Sequence, residues 1–257
     1  MTVALTSHFQ GHGPSLTLIH GWGLNAGVWE ELACALADDF QVCRVDLPGH
    51  GAAAHETRLG DLDTLADRLA ATLPMAGSTL VGWSLGALVA LQAAARHPQR
   101  VHRVILVAGT PRFVQAPDWP HAMALPVLDA FAQGLAAQYR VTLNRFLALQ
   151  FHGLPDAQGA LKTLRGRLLD GPPTPEALTE GLALLRNMDL RRTLATLPCP
   201  VHAVFGEYDT LVPAAAETAF KALRPALGTA VIKGAGHAPF LSRPARFEAV
   251  LRSFLHD

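Results

Sequence analysis

The pentapeptide Gly82-Trp83-Ser84-Leu85-Gly86 sets a serine between two glycines where an apolar run, residues 79–83, meets a helical pattern beginning at residue 85. A serine held on such a strand-to-helix turn occupies strained backbone, and the positions two before and two after it must be nearly free of side chain. G-x-S-x-G is common by chance, but at this junction it reads as a nucleophile elbow rather than a plain glycine-rich turn. A serine hydroxyl is a weak nucleophile at neutral pH, so it needs a base, and the base needs an acid to orient it. The expected chain order is serine, acid, histidine. Gly206-Glu207-Tyr208-Asp209 follows the apolar run 201–205, and Gly234-Ala235-Gly236-His237 follows 230–233, so a carboxylate and an imidazole both fall just past strand ends. The expected triad is Ser84, Asp209 and His237, with Glu207 as the rival acid.

The oxyanion of a tetrahedral intermediate needs N–H donors, one following the nucleophile and one from a loop after an early strand. Leu85 and Trp22 fit these roles, the latter in His20-Gly21-Trp22-Gly23, which closes the run 16–20. Asp46-Leu47-Pro48-Gly49-His50-Gly51 reads as a structural turn, and no chemistry is assigned to it. The twelve histidines form no H-E-x-x-H and no paired ligand spacing, so no metal site is expected. Cys34, Cys43 and Cys199 are odd in number and unpatterned, which suits buried thiols in a reducing compartment rather than a disulfide framework.

These residues require a scaffold. Runs rich in Val, Ile and Leu at 16–20, 42–46, 79–83, 104–108, 201–205 and 230–233 read as buried parallel strands. Helical patterns at 28–37, 62–73, 85–97, 213–223 and 244–256 alternate with them. The expected fold class is α/β: a doubly wound, mostly parallel sheet whose ligands sit beyond the carboxyl ends of the strands. The alternation stops between residues 111 and 197, where helical patterns at 127–150 and 175–187 follow each other between proline-marked breaks. Residues 1–110 and 198–257 are therefore expected to form the core, and 111–197 a helical cap insertion.

The 21 basic and 21 acidic residues cancel, so no global charge draws the chain to nucleic acid or an anionic membrane. The first ten residues lack a basic and apolar leader pattern, and no apolar run is long enough to span a bilayer. A cytoplasmic monomer is the expectation.

With H-G, D-x-P-G-x-G, G-x-S-x-G, G-x-x-D and G-H all in order, the chain resembles the α/β-hydrolase superfamily along nearly its whole length. Ser84 sets it apart from haloalkane dehalogenases and epoxide hydrolases, which place an aspartate at the elbow. It is further similar to the pimeloyl-acyl-carrier-protein methyl ester carboxylesterases of biotin synthesis. The stretches 20–26, 82–86, 145–150, 189–191 and 237–240 carry that likeness, above all Phe146-Leu147-Ala148-Leu149-Gln150 in the cap. The chain departs from the pattern at Ala87, where a second glycine often follows Gly86, and in the placing of some basic cap residues.

The resemblance implies hydrolysis of a methyl ester on a carrier-bound seven-carbon diacid, with no cofactor. It implies an acyl site of Trp22, Ser84, Leu85, Phe146, Leu147, Ala148, Leu149, Gln150 and His237. An acidic acyl-carrier protein would be the partner. Between residues 130 and 169, Arg140, Arg145, Lys162, Arg165 and Arg167 face a single carboxylate, Asp156, so this segment is a candidate docking face. The alternatives are a general carboxylesterase or C–C bond hydrolase for small acyl compounds, and a non-catalytic binding protein of the same fold. The complete triad speaks against the last.

Overall fold

The computed structural model describes residues 2–154, 158–169 and 171–256, so Asp156 lies outside the described residues. Seven strands form one sheet: β1 (Thr6–Gln10), β2 (Ser15–Ile19), β3 (Gln41–Asp46), β4 (Ser78–Trp83), β5 (Val101–Val107), β6 (Val201–Gly206) and β7 (Gly228–Ile232), in the order β1-β3-β2-β4-β5-β6-β7. All neighbours are parallel except β1, which pairs antiparallel with β3. The six expected strands are present, β7 beginning two residues earlier than its apolar run. β1 is an addition: Thr6–Gln10 is a half-exposed edge strand and lacks the continuous apolar run of a buried one.

The helices of the core are α1 (Glu30–Leu36), α2 (Leu62–Thr72) and α3 (Leu85–Arg96), and the segment between β5 and β6 holds α4 (Leu125–Leu149), α5 (Gln158–Leu169), α6 (Pro175–Asn187) and α7 (Arg191–Thr196). Closing the chain are α8 (Ala216–Leu223), α9 (Pro239–Ser242) and α10 (Pro244–His256). The step from β2 to β3 runs one way along the sheet and that from β3 to β4 the other, so right-handed crossovers put α1 and α2 on opposite faces. Arg252 of α10 joins α1's face, reaching the Ala35 carbonyl at 2.9 Å. α3, the helix after Ser84, is buried along almost its whole length, as its run of Leu, Val and Ala dictates.

Local chemistry sets the ends. Asp61 caps α2 by accepting the Thr64 N–H at 2.8 Å, and Thr174 caps α6 by accepting that of Ala177 at 3.2 Å, with Pro175 in the first turn. The expected helix at 127–150 is α4, but it bends at Gln138, whose φ of −151° and ψ of 72° are not helical. The two stems of the helical segment are tied: Leu190 N–H donates to the Pro111 carbonyl at 2.8 Å, and Arg112 pairs with Asp189 at 2.7 Å. No helix among the described residues is long and apolar enough to cross a membrane.

Candidate active site

The direction in which successive strands are added to the sheet reverses between β2 and β4, parallel neighbours with Ile19 opposite Gly82, so the crevice beyond their carboxyl ends is the switch point where such sheets place ligands. Ser84 leaves β4 there at φ 53° and ψ −116°, a left-handed conformation that costs a non-glycine residue about 1–3 kcal/mol. The flanking glycines have a steric cause. A Cβ on Gly82 would lie 2.4 Å from the Gly86 carbonyl oxygen, and one on Gly86 would lie 2.5 Å from that of Ile19.

Ser84 Oγ is 2.9 Å from His237 Nε2, and His237 Nδ1 is 2.8 Å from Asp209 Oδ2. All three are buried, with His237 only 1% exposed. Asp209 keeps its second oxygen occupied by the N–H groups of Leu211 at 2.8 Å and Val212 at 3.0 Å, so its carboxylate is held in place against the imidazole. Nδ1–H then donates to Asp209, which leaves the Nε2 lone pair facing the serine hydroxyl. Glu207, the rival acid, is exposed and accepts the Gly234 N–H at 2.8 Å instead. The His237 loop is fastened twice more. Its N–H donates to the Gln150 carbonyl at 3.0 Å, and its carbonyl accepts the Trp83 indole N–H at 2.7 Å.

Leu85 is the first residue of α3, where N–H groups have no partner within the helix and the dipole favours negative charge. The Gly21–Trp22 turn borders the same serine: a Cβ on Gly21 would lie 3.2 Å from Ser84 Cβ. The Gly21–Trp22 turn and the start of α3 at Leu85 therefore both border the nucleophile. Such an arrangement can perform acyl transfer by nucleophilic attack with general-base assistance.

A family model described as the alpha/beta hydrolase family matches residues 18–250. The chain belongs to that family. The pimeloyl-acyl-carrier-protein methyl ester esterase of Xanthomonas campestris pv. campestris (strain B100) is 45% identical over 246 residues, spanning 95% of this chain and 96% of that one. The protein of the same name from Nitrosomonas europaea is 41% identical over 238 residues, spanning 92% and 94%. The solved esterase EaEST of Exiguobacterium antarcticum matches with a TM-score of 0.86 at 21% identity, covering 98% of this chain and 96% of that one. That likeness supports the fold alone.

In this α/β-hydrolase the residues assigned to the acyl site divide. Phe146, Leu147 and Gln150 are buried, Leu149 is half-buried and Ala148 is exposed. Phe146 meets the Trp22 ring edge-on at 4.7 Å and Phe131 at 5.6 Å. Phe131 in turn lines an open groove of ≈ 620 Å³ with Pro126, Val127, Arg145, Ala148 and Leu149. A line of aromatic edges thus runs from the groove to the nucleophile's neighbour, and Phe131 was not singled out by motif because only the bend in α4 brings it there. Arg140, Arg145, Lys162 and Arg165 are exposed. Arg167 differs, because its guanidinium pairs with Glu30 of α1 at 2.5 Å and so ties α5 to the core.

Proposed function

We propose that this hydrolase cleaves the methyl ester of a pimeloyl chain carried on an acyl-carrier protein, through an acyl-enzyme on Ser84. The observation that carries the reading is the relay from Ser84 Oγ through His237 to Asp209, at 2.9 and 2.8 Å, in a chain 45% identical to a protein of that name. His237 takes the hydroxyl proton as Ser84 attacks the ester carbonyl, and the N–H groups of Trp22 and Leu85 hold the oxyanion. The C–O bond to methoxide breaks, His237 returns the proton, and methanol leaves. Water, deprotonated by His237, then attacks the acyl-enzyme and frees Ser84 with a terminal carboxylate on the carrier-bound chain. No step calls for a cofactor.

Residues 111–197 serve in this reading as a cap, with the core made of 1–110 and 198–257. The acyl chain enters by the groove beside Phe131 and passes Phe146 and Trp22 toward Ser84, whose own exposure is only 4%. Arg140, Arg145, Lys162 and Arg165 offer cations to an acidic carrier, whereas Arg167 is occupied by Glu30.

The test compares kcat/KM on methyl-pimeloyl carrier with that on free methyl esters. Preference for the carrier substrate by ~10²-fold or more is expected, since binding energy far from the reacting bond raises transition-state stabilisation. Equal rates on both would favour a general carboxylesterase with the same triad. Failure of a fluorophosphonate to label Ser84 would return the chain to the non-catalytic reading.

A further inference from the structure

His20 and the Asp46–Gly51 turn have no role in the steps above, yet they meet beneath the oxyanion loop. His20 is fully buried, and its Nε2 lies 3.0 Å from the main-chain N–H of Leu47. A peptide N–H can only donate, so Nε2 is the unprotonated acceptor. The ring's single proton then sits on Nδ1, 2.8 Å from the Gly21 carbonyl oxygen, to which it donates. Burial pushes the His20 pKa down, against a smaller opposing pull from Asp46, and keeps the ring in this neutral form.

The Gly21 carbonyl and the Trp22 N–H belong to one peptide unit. In a trans unit they point in opposite directions, so fixing one fixes the other. Glycine at position 21 leaves that plane free to turn, because no Cβ restrains it. The Trp22 indole N–H is held separately, by the Leu178 carbonyl of α6 at 2.8 Å, which anchors the side chain but not the preceding peptide. The Gly21 carbonyl also accepts the Leu24 N–H, but at 3.4 Å, so the imidazole of His20 at 2.8 Å supplies the tighter restraint on that peptide.

We propose that His20 is a positioning residue of the hydrolysis: anchored on the Leu47 N–H, its imidazole holds the Gly21–Trp22 peptide so that the Trp22 N–H faces the oxyanion forming at Ser84. The proposal rests on the reading of Trp22 as an oxyanion donor. His20 touches no substrate atom and acts only through this peptide.

Two isosteric halves of the imidazole separate this role from simple support of the turn. Asn carries an N–H where Nδ1 stands and no acceptor where Nε2 stands, whereas Gln can place an oxygen near Nε2 and has no donor at Nδ1. His20→Asn is expected to keep kcat within ~10-fold, and His20→Gln to lower it by ~10²-fold or more with KM little changed, the size expected for an oxyanion donor turned away. Binding of a trifluoromethyl ketone, whose adduct with Ser84 carries the same oxyanion, should weaken in His20→Gln by a similar factor. Retention of full kcat by His20→Gln, equal losses in the two variants, or a loss confined to KM would overturn the proposal.

Nitrogen NMR of the unaltered protein gives a second readout that no folding defect can blur. It should find His20 neutral with its proton on Nδ1 at pH 7 to 8, and a proton on Nε2 there would overturn the proposal outright. Ser84→Ala distinguishes the two levels of failure. If that variant stayed active, the hydrolase reading itself would fall. If it were inactive while His20→Gln matched the unaltered enzyme, only the positioning role would fall.

Discussion

The main-chain N–H of His237 donates to the main-chain carbonyl of Gln150 at 3.0 Å, joining the loop that carries the imidazole to the residue after α4. The bond joins the loop after β7 to the helical segment between β5 and β6. Its two partners are backbone, so the side chain that most strongly governs it is the one absent at Gly236, where a Cβ would lie 2.4 Å from that same Gln150 oxygen. This contact therefore couples the end of α4 to the loop that carries the imidazole.

Gly236→Ala is accordingly expected to hurt both stability and rate. Neither backbone segment yields cheaply, and the clash should cost about 1–3 kcal/mol, the range for overpacked sites. For a chain of this size that is a fall in Tm of roughly 2–10 °C, with kcat reduced by ~10-fold or more as His237 leaves its place. Calorimetry and steady-state kinetics on the same sample check it. An unchanged kcat would mean that the cap end and the imidazole move independently.

The acid is assigned by geometry between two carboxylates two residues apart. Asp209→Asn should lower kcat by ~10⁴, because an amide cannot hold the required tautomer of His237 or balance the imidazolium. Glu207→Gln should lower it by less than ~10-fold, since Glu207 holds the Gly234 N–H and not the imidazole. A comparison of the two variants at saturating substrate decides it, and a larger loss in Glu207→Gln would reverse the assignment.

What the sequence makes legible here follows from which signals are local. Parallel strands buried on both faces are continuous apolar runs, so β2 to β6 stand out, whereas Thr6–Gln10 pairs at an edge with Phe9 54% exposed and carries no such run. α5 escapes for a similar reason, its Lys162, Arg165 and Arg167 interrupting any apolar stripe. Ser84, Asp209 and His237 each follow a strand in a short glycine-marked motif, and the fold brings those strand ends together. The bonds that set their surroundings join positions remote in sequence, such as Trp22 to Leu178 and Asn25 to Arg167, at separations of 156 and 142 residues. No spacing rule reaches across such distances.

Acid should unfold the protein through the buried imidazoles. Burial, with the neighbouring His20, pushes His50 down to about 3, against weaker pulls from the Pro48 carbonyl and Asp46, and burial lowers His20 too. In the unfolded chain each titrates near ~6.5, so below that pH the unfolded state binds more protons and stability falls as pH drops, being fully present only above ~6.5. For His50 the slope reaches ~1.4 kcal/mol per pH unit, down toward pH 3, and His20 adds to it with the same sign. Tm is expected to drop by several degrees between pH 7 and pH 5. His50→Asn keeps a donor for the Pro48 carbonyl, 2.9 Å from Nδ1, and should flatten that dependence; an equally steep one would place the proton uptake elsewhere.

The carrier should be felt through the charge of the cap and not through the triad. Arg145 lines the groove that leads past Phe131 and Phe146 to Trp22, and Arg165 is exposed on α5, while Arg167 is spent on Glu30. Complementary charge raises the encounter rate and fixes orientation, and it is screened beyond a Debye length of roughly 8–10 Å at ordinary ionic strength. Reversing Arg145 and Arg165 together to Glu should lower kcat/KM for a carrier-bound ester by ~10-fold or more, and the unaltered enzyme should slow on that substrate as salt rises. Hydrolysis of a small soluble ester should change little, because Ser84, His237 and Asp209 are buried and keep their contacts. Equal losses on both substrates would mean that the reversal had disturbed the cap itself. Full activity on the carrier substrate would mean that the carrier approaches by another face, leaving Arg145 and Arg165 as ordinary solvated cations whose worth is near zero.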